Sequence, residues 1–576
     1  MNVKADRVDL SRAVPDNLSI ARSVAGRPIG EIAERMGLRA EWLEPYGHRV
    51  GKVDLAAMDA MADRPPGRYV VVSAITPTPL GEGKTTTAIG LAQGFHHVGR
   101  TATVTLRQPS MGPTLGIKGG AAGGGWSQVI PMERINLHLT GDIHAITAAH
   151  NQLAAMIDNE LYHRRGVPLD PDTITWRRAM DVNDRALRNI VVGIGPHSDG
   201  VTRQCGFDIT AASEVMAVLA LADSLGDLRR RLGRIVVGYT YGGEPVTAED
   251  IRAAGSMTAL LRDALKPNLL QTLEQTPALI HTGPFGNIAH GNSSIVADRI
   301  GIRCGDYLVT EAGFGADMGA ERFFNIKCRA SGMVPDAAVV VATVRGLKYH
   351  SGHHRVVPGK RLPAAMLVEN PQEVWAGAAN LRKQIDNIRL HGVPAVVAIN
   401  AFPGDLPSEH AAIRGIAEAA GAPVALCTHV RDGGAGAAEL AEAVAEAAQG
   451  PAAFRYLYGS DLPLPDKIER IATQVYGAAG VSFSAQARRA LERFTTAGYG
   501  HLPVCIAKTH LSLSADPALT GAPTGWTLPV REARLSAGAG FIYVLCGDIR
   551  TMPGLGLEPA AAGIDVDDAG VLRGLF

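Results

Sequence analysis

The chain has 576 residues, with 56 basic and 56 acidic side chains, so its formal net charge is zero; apolar residues make up 46% and aromatics 5%. This balance excludes a disordered chain, which carries fewer apolar residues and more net charge. It also gives no overall basic excess to draw the protein to nucleic acid, while the length leaves room for three or four domains of roughly 150 residues.

The stretch Met1 to Arg7 carries charges throughout and lacks an apolar core, so no secretory signal is expected. The longest apolar run, near Ala337 to Val344, is far too short to span a membrane. A cytoplasmic protein with no membrane or nucleic-acid partner is the expectation. The cysteines, Cys205, Cys304, Cys328, Cys427, Cys505 and Cys546, are scattered with no CxxC pair. Neither a disulfide framework nor a cysteine zinc site is readable, and small buried hydrophobes are expected.

In chain order, Val- and Ile-rich runs predict strands at Tyr69 to Ile75, Thr103 to Leu106, Ile190 to Ile194, Ile235 to Val237, Ala338 to Val344, Ala395 to Ile399, Val424 to Cys427 and Ile542 to Leu545. Continuous rather than alternating apolar runs suit parallel strands covered on both faces. Between them, helical patterns run over Lys84 to Val98, Ala211 to Leu225, Pro371 to Leu390, Glu409 to Ala420 and Lys467 to Tyr476, with an Ala-rich surface helix within Ala435 to Pro451. The alternation predicts an α/β fold. Boundaries near residues 365 and 455 divide it into a P-loop NTPase-like parallel-sheet domain (1–365) and two smaller α/β domains (366–455 and 456–576).

The first strand runs into Thr76-Pro77-Thr78-Pro79-Leu80-Gly81-Glu82-Gly83-Lys84-Thr85-Thr86-Thr87 and then a helix. Gly83, Lys84 and Thr85 match the end of the P-loop pattern GxxxxGK[ST], while Thr78 replaces its leading glycine. Gly81 and Gly83 let backbone amides turn inward around a phosphate, and the helix N-terminus adds a positive dipole end. Lys84 is expected to reach the outer phosphates and Thr85 to ligate magnesium. The alternative is a glycine-rich turn capping a helix.

Arg107 follows the second strand, where open α/β sheets bind ligands, and its fork suits a carboxylate or phosphate; the competing reading is a surface ion pair. Five glycines and two alanines then fall between 119 and 125, a composition for backbone that must approach a ligand or another chain closely. Polar residues crowd the stretch Asn136 to Ile146.

With these blocks the sequence resembles the formate–tetrahydrofolate ligase family over nearly its whole length. The carriers are the loop to Thr87, the block Arg107 to Ile146, Thr276 to Gly291, Thr310 to Asp317, and the runs Arg534 to Ile542 and Thr551 to Leu555. The resemblance implies ATP-dependent joining of formate to tetrahydrofolate through formyl phosphate. It also implies three α/β domains, a homotetramer, Mg2+ with the nucleotide, and activation by a monovalent cation. By resemblance, Thr78, Pro79, Leu80, Gly81, Glu82, Gly83, Lys84 and Thr85 bind nucleotide, and Phe314 and Gly315 form the nucleotide-side loop, against a core-residue alternative for Phe314. Arg107 holds formate or formyl phosphate. Asp142 or His138 serves as base for the folate amine, against capping-carboxylate, magnesium-ligand and structural-histidine alternatives. Phe402 stacks the pterin, and Val430 stands where the family often has an aromatic, so one wall of the slot is aliphatic unless Arg431 or His429 stacks instead. Gln108 stands where the family commonly has Glu.

Other signals read as bland. His350, His353, His354, Lys360 and Arg361 look like a basic solvated loop, His96 and His97 like a helix C-terminus, and Arg229 to Arg231 like a solvated helix end. The competing functions are a P-loop ligase for another small carboxylate and an ATP-driven switch regulating a protein partner.

Overall fold

A computed structural model describes residues 14–116, 122–164, 166–357, 361–450, 453–547 and 549–575. Met1 to Arg7, Gly119 to Ala121 and Lys360 lie outside the described residues.

Eight strands frame the site: β1 Arg68–Ala74, β2 Ala102–Leu106, β3 Asn268–Thr272, β4 Pro277–Ile280, β5 Tyr307–Glu311, β6 Ala337–Ala342, β7 Ala395–Asn400 and β8 Val424–Cys427. They form the body of a 12-stranded sheet in the order β3-β4-β2-β5-β1-β6-β7-β8. The seven strands from β4 to β8 are mutually parallel, and β3 joins the edge antiparallel. The reason lies in the sequence. On β1, Val70, Val72 and Ala74 point into one apolar cluster and Tyr69 and Val71 into another. A strand apolar at both parities is buried on both faces, which only crossover-connected parallel strands achieve. Helix α1 (Lys84–His97) covers the first face through Ile89, Ala92 and Phe95. Helix α2 (Ala378–Arg389) covers the second through Leu381, Ile385 and Ile388. The sheet runs on through residue 365, since β7 pairs with β6 from Ala338↔Ala395 to Ala342↔Ile399. The C-terminal part has its own core, including Leu491, Phe494, Ile506 and Val544. It is built on β9 (Val504–Ala507), β10 (Glu532–Ser536) and β11 (Phe541–Leu545), with β11 in the middle.

Two strand expectations need correction. Ile190 to Val192 pairs antiparallel with Arg203–Cys205 in an isolated ribbon, and Ile194 is 75% exposed. Gly193 turns the chain with φ 67°, too soon for a sheet strand. Val236–Tyr239 likewise forms a separate ribbon with Pro245–Thr247. The pattern from 371 to 390 is two helices, Pro371–Ala376 and α2. They break at Gly377, where a Cβ would lie 2.0 Å from the Leu347 carbonyl oxygen. The helix expected over 211–225 is confined to Glu214–Leu221, capped by Ser213. The Ala-rich helix, Ala438–Ala447, buries Leu440, Ala441 and Val444, so only part of it is surface. All six cysteines are free and five are buried. No helix among the described residues is long and apolar enough to cross a membrane.

Candidate active site

The loop after β1 is held from behind by buried polar side chains. Asn380 accepts from the Thr76 amide at 3.0 Å, and both Asn380 Nδ2 and Gln384 Nε2 donate to the Thr76 hydroxyl. His350 bonds the Thr76 carbonyl at 2.8 Å. His350 is therefore buried at a helix end, a correction to the solvated-loop reading, although His353 is exposed. The same network reaches Asp317, which takes a bond from Gln384 and a buried ion pair from Lys508 at 3.0 Å.

Within the loop, Thr78 explains the missing glycine. Its hydroxyl donates to Glu82 Oε1 at 2.8 Å and accepts from the Leu80 amide, a hydroxyl-closed turn needing no positive φ there. Glu82 is buried, and its other oxygen takes the Thr343 hydroxyl at 2.6 Å, so this carboxylate pins the loop instead of facing a ligand. Gly81 and Gly83 have φ of 74° and 76°. A Cβ on Gly83 would lie 2.3 Å from Asn400 Nδ2, which donates to the Glu82 carbonyl. Only glycine meets both the left-handed turn and that approach.

At the first turn of α1, the Thr86 and Thr87 hydroxyls bond back to the Gly83 carbonyl at 2.6 and 2.9 Å. Thr85 instead donates to Glu311 Oε2 at 2.7 Å. Glu311 ends β5, between β1 and β2, and Arg107 Nε reaches its other oxygen at 3.3 Å. Loop threonine, strand-end carboxylate and strand-end arginine thus form one chain beside half-buried Lys84. Glu311 was present in the sequence blocks without a role. Its signal is a lone carboxylate after the apolar run Tyr307-Leu308-Val309-Thr310, at the carboxyl end of a parallel strand.

Asp142 lies elsewhere in the arrangement. It starts a long helix, Asp142–His163, and is 2% exposed. Lys52 Nζ contacts its Oδ1 at 2.7 Å, and Asn268 Nδ2 donates to Oδ2 at 2.7 Å. Asn268 also approaches Gln108 Oε1 at 3.5 Å, and Gln108 Nε2 is buried without a partner. Both oxygens of Asp142 are therefore engaged. His138 is exposed, its ring 4.9 Å from that of His144.

Phe402 follows β7 and Val430 follows β8, on neighbouring strands. The Arg345 guanidinium lies 3.6 Å from the Phe402 ring centroid and donates to the Gly81 carbonyl at 3.3 Å. It takes one face of the phenyl ring and ties it to the glycine-containing loop after β1. Burial lowers the pKa of Arg345, with Glu82 and Asp405 opposing. Nothing in the sequence marked Arg345, because it acts across strands. His429 is fully buried against Gly90 and Thr87, and burial lowers its pKa to about 4. It faces the core of α1 and is not a stacking surface. Arg431 pairs with Asp432 at 2.6 Å. The Val430 carbonyl accepts from the Trp126 amide at 2.8 Å, bringing the glycine block under β8. In that block Gly124 lies against Thr86, where a Cβ would be 3.4 Å from its methyl.

Phe314 has φ 64°, rare for an aromatic, and stacks on His510 with centroids 4.7 Å apart. Gly286 makes room for it, since a Cβ there would be 2.7 Å from Phe314 Cε2. Gly315 is packed equally tightly against Asp317 and the Ile75 carbonyl. Arg231 is not a solvated helix end. It bonds Asp227 at 2.6 Å and the Ala539 carbonyl at 3.1 Å, docking the C-terminal part.

The family model for formate–tetrahydrofolate ligase matches residues 15–576. The chain belongs to that family. It is 67% identical to the formate–tetrahydrofolate ligase of Saccharopolyspora erythraea over 98% of its length and all of the relative's. The ligase of Cutibacterium acnes is 62% identical, over 97% of this chain and all of the relative. That of Chloroflexus aggregans is 57% identical with the same coverage. Membership in the ligase family agrees with the wide, mostly parallel sheet of an α/β fold.

Proposed function

We propose that this chain joins formate to tetrahydrofolate at the expense of ATP, giving 10-formyltetrahydrofolate, ADP and phosphate, at the carboxyl ends of β1, β2, β5 and β7. The observation that carries the reading is the Thr85–Glu311–Arg107 chain beside Lys84. Formate is ionised at neutral pH, since a simple carboxylic acid titrates near 4. It is already a nucleophile, and the barrier is repulsion between two anions. Lys84, the amides of the loop and Arg107 reduce that repulsion and hold formate in line with the γ-phosphate.

One formate oxygen then bonds to the γ-phosphorus as the bond to ADP breaks, giving formyl phosphate. The folate amine attacks the formyl carbon, phosphate leaves with the former formate oxygen, and the amine loses its proton. Phe402 offers its free face to the pterin, with Val430 as an aliphatic wall and Phe314 on the nucleotide side. Asp142 and His138 are the candidates for accepting the proton, and His138 has the more open ring.

Thr85 and Glu311 present hard oxygen donors 2.7 Å apart, which suits Mg2+ bound mainly through nucleotide phosphates. Bound there, the ion would screen charge on the transferring phosphoryl group. The reading extends to a monovalent cation, a homotetramer, a cytoplasmic setting, and a division into 1–365, 366–455 and 456–576.

The test is a ligase assay with each substrate omitted in turn, repeated with oxygen-18 formate. Label should appear in the released phosphate, and ATP turnover should need both formate and tetrahydrofolate. Label-free phosphate would overturn the formyl phosphate route, and formate-independent ATP turnover would overturn the ligase reading.

A further inference from the structure

The loop from Thr282 to Ser294, after β4, contains an unusual concentration of unmet polar groups. His290 is 0% exposed, and neither Nδ1 nor Nε2 has a hydrogen-bond partner among the described residues. Thr282 Oγ1 and Asn292 Oδ1 are buried and unpartnered as well. The same loop can satisfy a buried imidazole: His281 bonds Ser294 at 2.6 Å and the Ala264 carbonyl at 2.7 Å. Buried polar atoms are normally matched, so orphans concentrated in one loop mark a place where something else binds.

The surroundings indicate its charge. Arg322, also 0% exposed, donates only to the carbonyls of Ala289 and Ile506, and its Nε has no partner. Its neighbour Glu321 is pushed up to about 7 by burial, so it offsets that guanidinium incompletely at neutral pH. Burial first of all, with smaller contributions from Lys327, Arg107, Arg322 and Arg231, holds the imidazole well below its usual pKa, as a neutral ring. Lys327 is already paired with Asp298. A site of this kind repels cations and favours an anion.

The niche also adjoins the reaction centre. Asn292 Nδ2 donates to the Glu311 carbonyl at 3.1 Å, and the Gly313 amide donates to the Gly291 carbonyl. A Cβ on Gly313 would sit 3.2 Å from the Arg107 guanidinium and 3.2 Å from the Gly291 oxygen. The Arg107 guanidinium and the carbonyl of the residue next to His290 thus flank the same glycine, Gly313. Among the anions of the proposed reaction, formate is the smallest, and it is the one read as held by Arg107.

We propose that His290 is a formate-binding residue: its imidazole N–H donates to a formate oxygen while Arg322 and Arg107 supply the positive field. This rests on the ligase reading above. It explains why a neutral ring stands among cations, since a neutral donor can hold the carboxylate without capturing it as tightly as another guanidinium would. Acetate, which adds a methyl group, should fit less well beside a ring that is 0% exposed.

The experiment compares wild type, His290→Ala and His290→Gln by steady-state kinetics and by formate-dependent thermal shift. Removing a hydrogen bond to a charged group should raise the formate KM about tenfold or more. The KM values for ATP and tetrahydrofolate should stay within about twofold. Formate, but not acetate, should raise the apparent Tm of wild type, and His290→Ala should lose that shift. His290→Gln, which keeps an N–H donor, should recover part of the formate affinity. An unchanged formate KM in His290→Ala, with only a lower Tm, would overturn the proposal and leave His290 a packing residue. If His290→Ala does not fold, the formate KM of His290→Gln decides alone: a rise of less than twofold overturns the assignment. Wild-type ATP turnover independent of formate would instead bring down the ligase reading itself.

Discussion

The two halves of the site are built differently. On the side proposed for phosphate nearly every polar group already has a partner: Thr76 is held by Asn380, Gln384 and His350, Glu82 by Thr78 and Thr343, and Thr85 by Glu311. On the side proposed for folate Phe402 is half-buried, one face under Arg345, and Val430 contributes its carbonyl to Trp126 rather than a ring to the proposed slot. The first half is preorganised for a charge that must be met within tenths of an ångström. The second is a surface whose affinity comes from area and stacking, which tolerates looser geometry. The contrast implies that damage on the phosphate side shows in kcat and damage on the folate side in KM.

The largest effect expected is from Lys84→Ala. Losing the point charge over the outer phosphates should lower kcat by about 10²–10³-fold, with the tetrahydrofolate KM nearly unchanged. A kcat within tenfold of wild type would mean that the loop binds nucleotide without serving the transfer. Glu311→Gln follows. The amide keeps the size and can still accept from Thr85, but the charge that faces Arg107, and that the proposed Mg2+ would meet, is gone. A drop of about 10–100-fold in kcat is expected, with a raised magnesium requirement read by titrating Mg2+. Unaltered magnesium dependence would remove Glu311 from the metal site.

Arg345→Ala strikes where the halves meet, since the same guanidinium touches the Gly81 carbonyl and the Phe402 ring. Both the ATP and tetrahydrofolate KM values should rise by roughly fivefold, in line with a partly desolvated cation–π contact. Lysine at this position should rescue little, because it lacks a planar face. If only one of the two constants moves, the halves are uncoupled. Phe402→Ala should raise the tetrahydrofolate KM about 3- to 10-fold and leave the ATP KM alone. An unchanged folate KM removes the slot from β7.

Much of this was legible in the sequence, for identifiable reasons. The strands β1, β2, β6, β7 and β8 are continuous apolar runs, and a run buried on both faces has one common solution. The loop ending in Lys84-Thr85 announces itself because glycines with positive φ must stand at fixed places before a helix. Ile190 to Ile194 failed because a short apolar run carries no record of how many strands flank it. Glu311 and Arg345 were missed because their partners, Thr85 and Arg107 for one and Gly81 and Phe402 for the other, are remote in sequence. His350 was misread because basic neighbours suggest solvent, whereas the helix end carries it under Thr76. Local composition foretells elements, and cross-strand chemistry becomes visible only after folding.

The smallest effect concerns burial alone and lies beneath both halves. Glu321 is 1% exposed, takes one bond from Asn325 at 2.9 Å, and leaves Oε2 unmatched. Burial, with Asp317 adding to it, pushes its pKa from 4.5 to about 7, against the opposing pull of Arg322 and Asn325. Below pH 4.5 the carboxyl is neutral in both folded and unfolded chains, and its stabilising protonation is complete. As pH rises to 7, the unfolded chain gives up the proton first, so stability falls through that window and levels off above it. The ceiling of the loss is about 3 kcal/mol. Glu321→Gln keeps the neutral shape at every pH. At pH 5 calorimetry should find its apparent Tm close to wild type. At pH 8 the variant should melt a few degrees higher, at about 2 °C per kcal/mol recovered. A variant less stable than wild type at pH 8 would mean that the ionised carboxylate is held by Arg322, and the guanidinium would then be unavailable to formate.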